Sequence, residues 1–177
     1  MRPLISRSLV VSAVIYAFSV CSVGELAAQA DPVEAELDAF WTEVARTVSE
    51  GDLEGMRATY HPDAVHVPWD STSYRTQPIS KAGDNLPEST ARTRAGLQQP
   101  NVEFRFTSRI HDETTAHEVG MVHFWRTVPN GERTDAYGLV DSYLVKKEGR
   151  WMILVEIQRW DFTEADWDAL DPAGENL

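Results

Sequence analysis

Three ionisable residues interrupt apolar strand faces in the second half of this 177-residue chain: Asp141, His123 and Glu156. Asp141 stands between Leu139 and Tyr143 on one face of its predicted strand, with Tyr137 further along the same side. Apolar surroundings disfavour the charged form of a carboxyl and raise its pKa toward values useful in proton transfer. His123, beside Met121 and Trp125, has the chemistry of a general base or an orienting donor. Glu156 falls on the Met152/Leu154 face of the last strand and is followed by Gln158. Asp141 and His123 are therefore the catalytic candidates. Trp125, Tyr137, Tyr143 and Glu156 are candidate ligand contacts. For each of them a solvent-facing or hydrogen-bonded structural role is the competing reading.

Earlier in the chain, His66 alternates with Val65 and Val67 on a predicted strand, and Tyr60 and Trp41 belong to helical stripes. All three join the ligand-binding candidates, although a large aromatic in a helical stripe also serves as plain core. Other chemistries find no support. The histidines stand at 61, 66, 111, 117 and 123 without the close pairing that announces a zinc site, so no metal is expected. There is no G-x-S-x-G nucleophile elbow, no P-loop and no dinucleotide-binding glycine pattern, so no cofactor is expected. The chain carries 16 basic and 28 acidic residues, a net charge of −12. Such a surface repels phosphate backbones and anionic membranes, which argues against nucleic acid and lipid as partners and for solubility.

The elements that must position these residues are legible from periodicity and caps. Asp31, Pro32 and Glu34 open a helix, with Val33, Leu37, Phe40, Trp41, Val44 and Val48 as its apolar stripe. Gly51 ends it, and Asp52 caps a second helix that buries Leu53, Met56 and Tyr60. Pro62 stops that helix, and residues 64–69 read as a first strand. Between Asp70 and Gln99 the pattern weakens, with a short strand near 73–79 and a polar helix between 87 and 98. Four strands then follow in a meander: 102–110, 118–128, 133–147 and 150–160. The Asn130-Gly131 and Glu148-Gly149 turns separate the last three. Helices first and an antiparallel meander after them define an α+β protein. Thr163 to Asp166 starts one more helix, and residues 171–177 are expected to be disordered.

The first thirty residues read as a signal peptide. Arg2 and Arg7 give a basic start, residues 9–20 an apolar run, and Ala28-Gln29-Ala30 a cleavage site. The run falls short of the roughly 20 apolar residues of a spanning helix. The expected domain covers 31–162, with 163–177 a short helix and tail, and the expected location is periplasmic or secreted. The single cysteine, Cys21, lies in the leader, so the mature chain has no disulfide. The late strands are apolar on both faces. One face must meet the helices, and the other is expected to meet a second subunit in a homodimer. A monomer whose tail helix covers that face is the alternative.

Two phrases carry a family resemblance. One is the helical opening through Tyr60-His61-Pro62-Asp63-Ala64-Val65; the other runs from Tyr143 through Lys146-Lys147-Glu148-Gly149-Arg150-Trp151 to Ile153. Together they resemble the SnoaL-like and ketosteroid-isomerase-like branch of the nuclear-transport-factor-2-like superfamily, over residues 33–160. The resemblance implies a strongly bent, mostly antiparallel sheet wrapped around two to three N-terminal helices, with an apolar pocket at its open end. It places His66 close to where the pocket walls begin. It also implies a small apolar molecule as ligand, and carboxylates, histidines and tyrosines as the acting groups of those relatives that are enzymes. Three functions follow: an exported pocket domain binding a small molecule, an acid/base isomerase, dehydratase or hydrolase, or a structural dimer module without ligand.

Overall fold

A computed structural model describes residues 31–69, 72–81 and 86–170. The leader and the tail expected at 171–177 lie outside the described residues. Helix α1, Pro32–Glu50, starts where Asp31 accepts a 2.8 Å hydrogen bond from the Val33 amide. It ends at Gly51, whose φ of 65° is left-handed. A side chain there would also collide with its surroundings, since a Cβ would lie 2.7 Å from the Thr90 carbonyl oxygen. Helix α2, Leu53–Ala58, is capped by Asp52, which accepts from the Gly55 amide.

Strand β1, Tyr60–Pro68, begins four residues earlier than its alternation predicts. The carbonyl of Thr59, the cap of α2, already accepts from the Ile153 amide at 2.9 Å, so the chain enters the sheet straight from the helix. Strand β2 is only Gln77–Pro78, followed by a single tight helical turn at Ile79–Lys81. Helix α3 is Leu86–Arg94, shorter than the sequence suggests. The meander is β3, Gln99–His111; β4, Thr115–Thr127; β5, Arg133–Lys147; and β6, Arg150–Phe162. Helix α4, Glu164–Asp168, closes with a capping box between Thr163 and Asp166.

The strands form one curved, unclosed sheet in the order β2-β1-β6-β5-β4-β3, antiparallel except for β1 beside β6. The N-terminal helices lie against its concave face, where Leu37, Phe40 and Trp41 of α1 pack on Val140, Leu144, Trp151 and Ile153. The Trp41 ring sits 4.6 Å from Phe104 and 5.1 Å from Phe106, centroid to centroid. This is the α+β, helix-wrapped architecture that the sequence predicts. Among the described residues no helix is long and apolar enough to cross a membrane.

Two β-bulges decide which side chains face inward. In β3 the pairing shifts between Phe106 and Ser108, so Thr107 is the extra residue and Arg109, not Ser108, turns to the concave side. In β6 it shifts beside Leu154, so Ile153 and Glu156 share the concave face despite their odd spacing. Strict alternation assigns Glu156 to the face of Met152 and Leu154; the bulge moves it to the face of Trp151 and Ile153.

The convex face carries His117, Met121, His123, Leu139 and Asp141. Helix α4 folds back over part of it. Trp167 is buried there, with the Arg105 guanidinium 4.1 Å above its ring and an Arg105 Nη1 hydrogen bond of 3.0 Å to its carbonyl oxygen.

Candidate functional site

At the open end of the concave face, α2, β1, β6 and the start of α3 enclose a cavity of about 720 Å³. Leu53, Met56, Ile79 and Leu86 supply apolar walls, Arg57 and His61 add polar ones, and Tyr60, His66, Glu156 and Gln158 bring convergent polar atoms. An apolar pocket with a few placed polar groups is the usual form of a small-molecule site.

Glu156 is the centre of this group. Its side chain is buried, 5% exposed, and its Oε2 accepts a 2.8 Å hydrogen bond from the Tyr60 hydroxyl. Burial pushes the Glu156 carboxyl above the ordinary carboxylate range, although the Tyr60 bond, the nearby His66 and Gln158 pull the other way. Burial, and then the adjacent carboxylate, hold the Tyr60 phenol well above its ordinary value, so it remains a protonated donor.

His66 lies opposite Glu156 in the parallel β1/β6 register. Its Nδ1 is 3.2 Å from Gln77 Nε2 and its Nε2 is 3.4 Å from Gln158 Oε1. With the Gln77 amide donating, the imidazole proton sits on Nε2, pointing toward Gln158. That second contact is long, so the N–H is available to a better acceptor.

The structure thus brings Tyr60, His66 and Glu156 together from the candidates named by the sequence. It puts the others elsewhere. Trp41 is in the core, its indole N–H donating to the carboxylate of Glu118. Asp141, His123, Trp125, Tyr137 and Tyr143 are all on the convex face and line no part of this cavity. Asp141 accepts from His117 Nε2 at 2.8 Å, and the His117 ring stacks on Tyr143 at 4.2 Å. His123 pairs with Asp135 at 2.8 Å and stacks on Tyr137 at 4.5 Å. An apolar face therefore does not mean the pocket face in a sheet whose convex side is partly covered by α4.

Sequence reasoning passed over Glu118 and Arg109. Glu118 is fully buried, with Arg109 Nε donating to its Oε1 at 2.5 Å, and Arg109 reaches Asp38 of α1 at 2.6 Å. The signal for Glu118 was an acid in alternation with Ala116, Gly120 and Val122. The signal for Arg109 was erased by the bulge. Among the described residues no group of three or more His, Cys, Asp or Glu side chains converges on a metal position.

A bent, unclosed sheet with helices on its concave side and an acid-lined cavity at the open end defines the class. Its layout is that of the nuclear-transport-factor-2-like cone fold. Solved structures share it at low identity. ActVI-ORFA from Streptomyces coelicolor is 16% identical, with 74% of this chain and 98% of that one covered and a TM-score of 0.54. Aln2 from a Streptomyces species is 17% identical, with 78% and 97% covered and a TM-score of 0.54. A candidate scytalone dehydratase from Novosphingobium aromaticivorans is 14% identical, with 73% and 85% covered and a TM-score of 0.56. No protein-family model and no curated protein matches the sequence.

Proposed function

We propose that this protein is an acid/base catalyst for a small, largely apolar molecule bearing a carbonyl or hydroxyl group. The observation that carries the reading is the buried Tyr60–Glu156 pair at the wall of the cavity. Glu156, with its raised pKa, takes a proton from the substrate and returns it. Tyr60 holds the Oε2 carboxyl oxygen, and the Gln158 side chain also hydrogen-bonds this carboxyl. His66 donates its Nε2 proton to the substrate oxygen on which charge develops. The reaction class is proton abstraction next to a carbonyl, leading to isomerisation or to loss of water.

The test is solvent deuterium incorporation into a panel of apolar ketones and hydroxyketones, followed by NMR. Wild-type protein should catalyse exchange at one carbon position, and E156Q should lose it by about 10²-fold or more. Exchange by E156Q at the wild-type rate would remove Glu156 from the mechanism.

Export belongs to the same proposal. Helix α1 is capped by Asp31, the residue directly after Ala28-Gln29-Ala30, so cleavage there would release the chain at the first residue of its fold. The intact mass of exported protein should match a chain beginning at Asp31. We also propose that the part of the convex face left open by α4, where Tyr143 is exposed, pairs two copies into a homodimer. Light scattering at micromolar concentration should give about twice the monomer mass.

A further inference from the structure

The cavity that holds Tyr60 and Glu156 carries an unbalanced charge. Among the described residues its lining includes one arginine, Arg57, and one acid, Glu156. Glu156 is buried, bonded by Tyr60 and Gln158, and burial disfavours its ionised form. Arg57 is exposed on the solvent side and has no hydrogen-bond or carboxylate partner among the described residues. Elsewhere in this acidic chain arginines are neutralised: Arg46 by Glu43, Glu50 and Asp52, Arg109 by Asp38 and Glu118, and Arg133 by Asp135. A second donor stands nearby in the lining. His61 Nδ1 accepts from the Asp63 amide at 3.2 Å, so the ring proton is on Nε2, which has no hydrogen-bond partner among the described residues. The last turn of α2 and its right-handed cap, Thr59, carry the chain from Arg57 to Tyr60 in about one turn. Side chains so spaced rise from one wall with Cβ atoms about 5–6 Å apart.

We propose that the molecule taken by this cavity is a carboxylate: a compact apolar body whose anionic end is held at the mouth by Arg57, with His61 as a second donor. This rests on the acid/base reading of Tyr60, His66 and Glu156, and names the class of substrate those residues address. The guanidinium offers a planar fork of N–H donors that matches a carboxylate with two parallel bonds. Leu53, Met56, Ile79 and Leu86 take the apolar body, which leaves the reacting carbon at the inner, polar end of the cavity. One unpaired guanidinium balances one negative charge. A phosphate monoester carries about −1.5 to −2 and three strong acceptor oxygens, more than this lining serves. The chain's net charge of −12 repels anions in general, so a local cation at the mouth selects the bound orientation: anionic end outward, reacting end inward. The competing role for Arg57 is a surface charge that complements the carbonyl end of α2 and touches no ligand.

The test compares three fluorescent probes of one ring size, 2-naphthoate, 2-naphthol and 2-naphthyl phosphate, in direct binding titrations at neutral pH. Wild-type protein should bind 2-naphthoate about tenfold or more tighter than 2-naphthol, and the preference should shrink as salt rises from about 20 to 300 mM. R57Q should lose about tenfold for 2-naphthoate and stay within about twofold for 2-naphthol. R57K keeps the charge without the fork and should fall between wild type and R57Q. Equal affinity for naphthoate and naphthol in wild type, no binding of either, or an equal loss of both in R57Q overturns the proposal. Tighter binding of the phosphate than of the carboxylate overturns the choice of anion. Solvent deuterium exchange separates this from the reading it rests on. Exchange that is lost in E156Q, without a naphthoate preference, keeps the proton-transfer role and removes the carboxylate. A naphthoate preference that depends on Arg57, without exchange on any ketone, keeps the anion site and removes the proton transfer.

Discussion

His66 and Glu156 face each other across the parallel β1/β6 pair, in direct register. The contact joins the first strand of the chain to the last, and the antiparallel meander of β3 to β6 follows on one side of it. Tyr60 reaches the same carboxyl from the start of β1, because the register shifts between Tyr60 and Val65. The cavity's chemistry is therefore built at a seam that closes only when the sheet is complete. The proposed acid/base site and the closed sheet depend on the same strand pairing.

Glu156 should make stability depend on pH in a definite direction. Its folded pKa is raised above the unfolded value, so its protonated form favours the fold. That contribution is complete below the unfolded pKa and is lost as pH rises through the folded pKa. E156Q keeps the shape without the titration. The stability of E156Q relative to wild type should therefore increase with pH above about 4.5, measured by urea denaturation across pH 4 to 9. A pH-independent difference would mean that Glu156 titrates as it does in the unfolded chain.

The Arg109–Glu118 pair should behave as a buried ion pair. R109A leaves the fully buried Glu118 with the Trp41 indole as its remaining side-chain donor, and should cost about 3–5 kcal/mol. The double variant R109M/E118L removes both charges together and should recover most of that loss. Equilibrium unfolding of the two variants checks this. Equal destabilisation of the single and the double variant would show that packing, not charge, dominates the site.

The element order was readable because caps and periodicity are local. Asp31, Gly51 and the capping box at Thr163 each mark a helix end through a contact within a few residues. Residues 133–147 appear as a strand over the whole predicted range. The site was less readable, because facing is not local. Asp141 stands in an apolar row, but that row is convex, and curvature of the sheet depends on helices that pack from far along the chain. Glu156 and Arg109 face inward through bulges that simple alternation cannot register. Tyr60 reads as part of α2's buried stripe; it joins Glu156 through a pairing across 96 residues.

Gly120 should be intolerant of any side chain. A Cβ there would lie 2.1 Å from the Arg105 carbonyl oxygen, a backbone atom that cannot rotate away. The close approach is on β4 opposite the β3 bulge, so relief requires β3 to move as a unit. G120A should destabilise by about 2 kcal/mol or more, read as a lower urea midpoint with an unchanged slope. Wild-type stability would mean that the bulge adapts freely, and that Arg109 is not rigidly held on the concave face.

The two faces of the sheet can be told apart by binding. A neutral aromatic alcohol such as 2-naphthol, followed by its fluorescence, probes an apolar cavity without relying on turnover. Met56 lines the cavity, and M56W adds a large ring at that wall. It should weaken 2-naphthol binding by about tenfold or more, a loss of roughly 1.4 kcal/mol. Asp141 is on the opposite face, held by His117 at 2.8 Å beside the Tyr143 ring. D141N keeps its volume and one hydrogen-bonding oxygen, and should leave binding within about twofold of wild type. The reverse result, with D141N impaired and M56W unaffected, would move the ligand site to the convex face and return Asp141 and His123 to the centre of the chemistry.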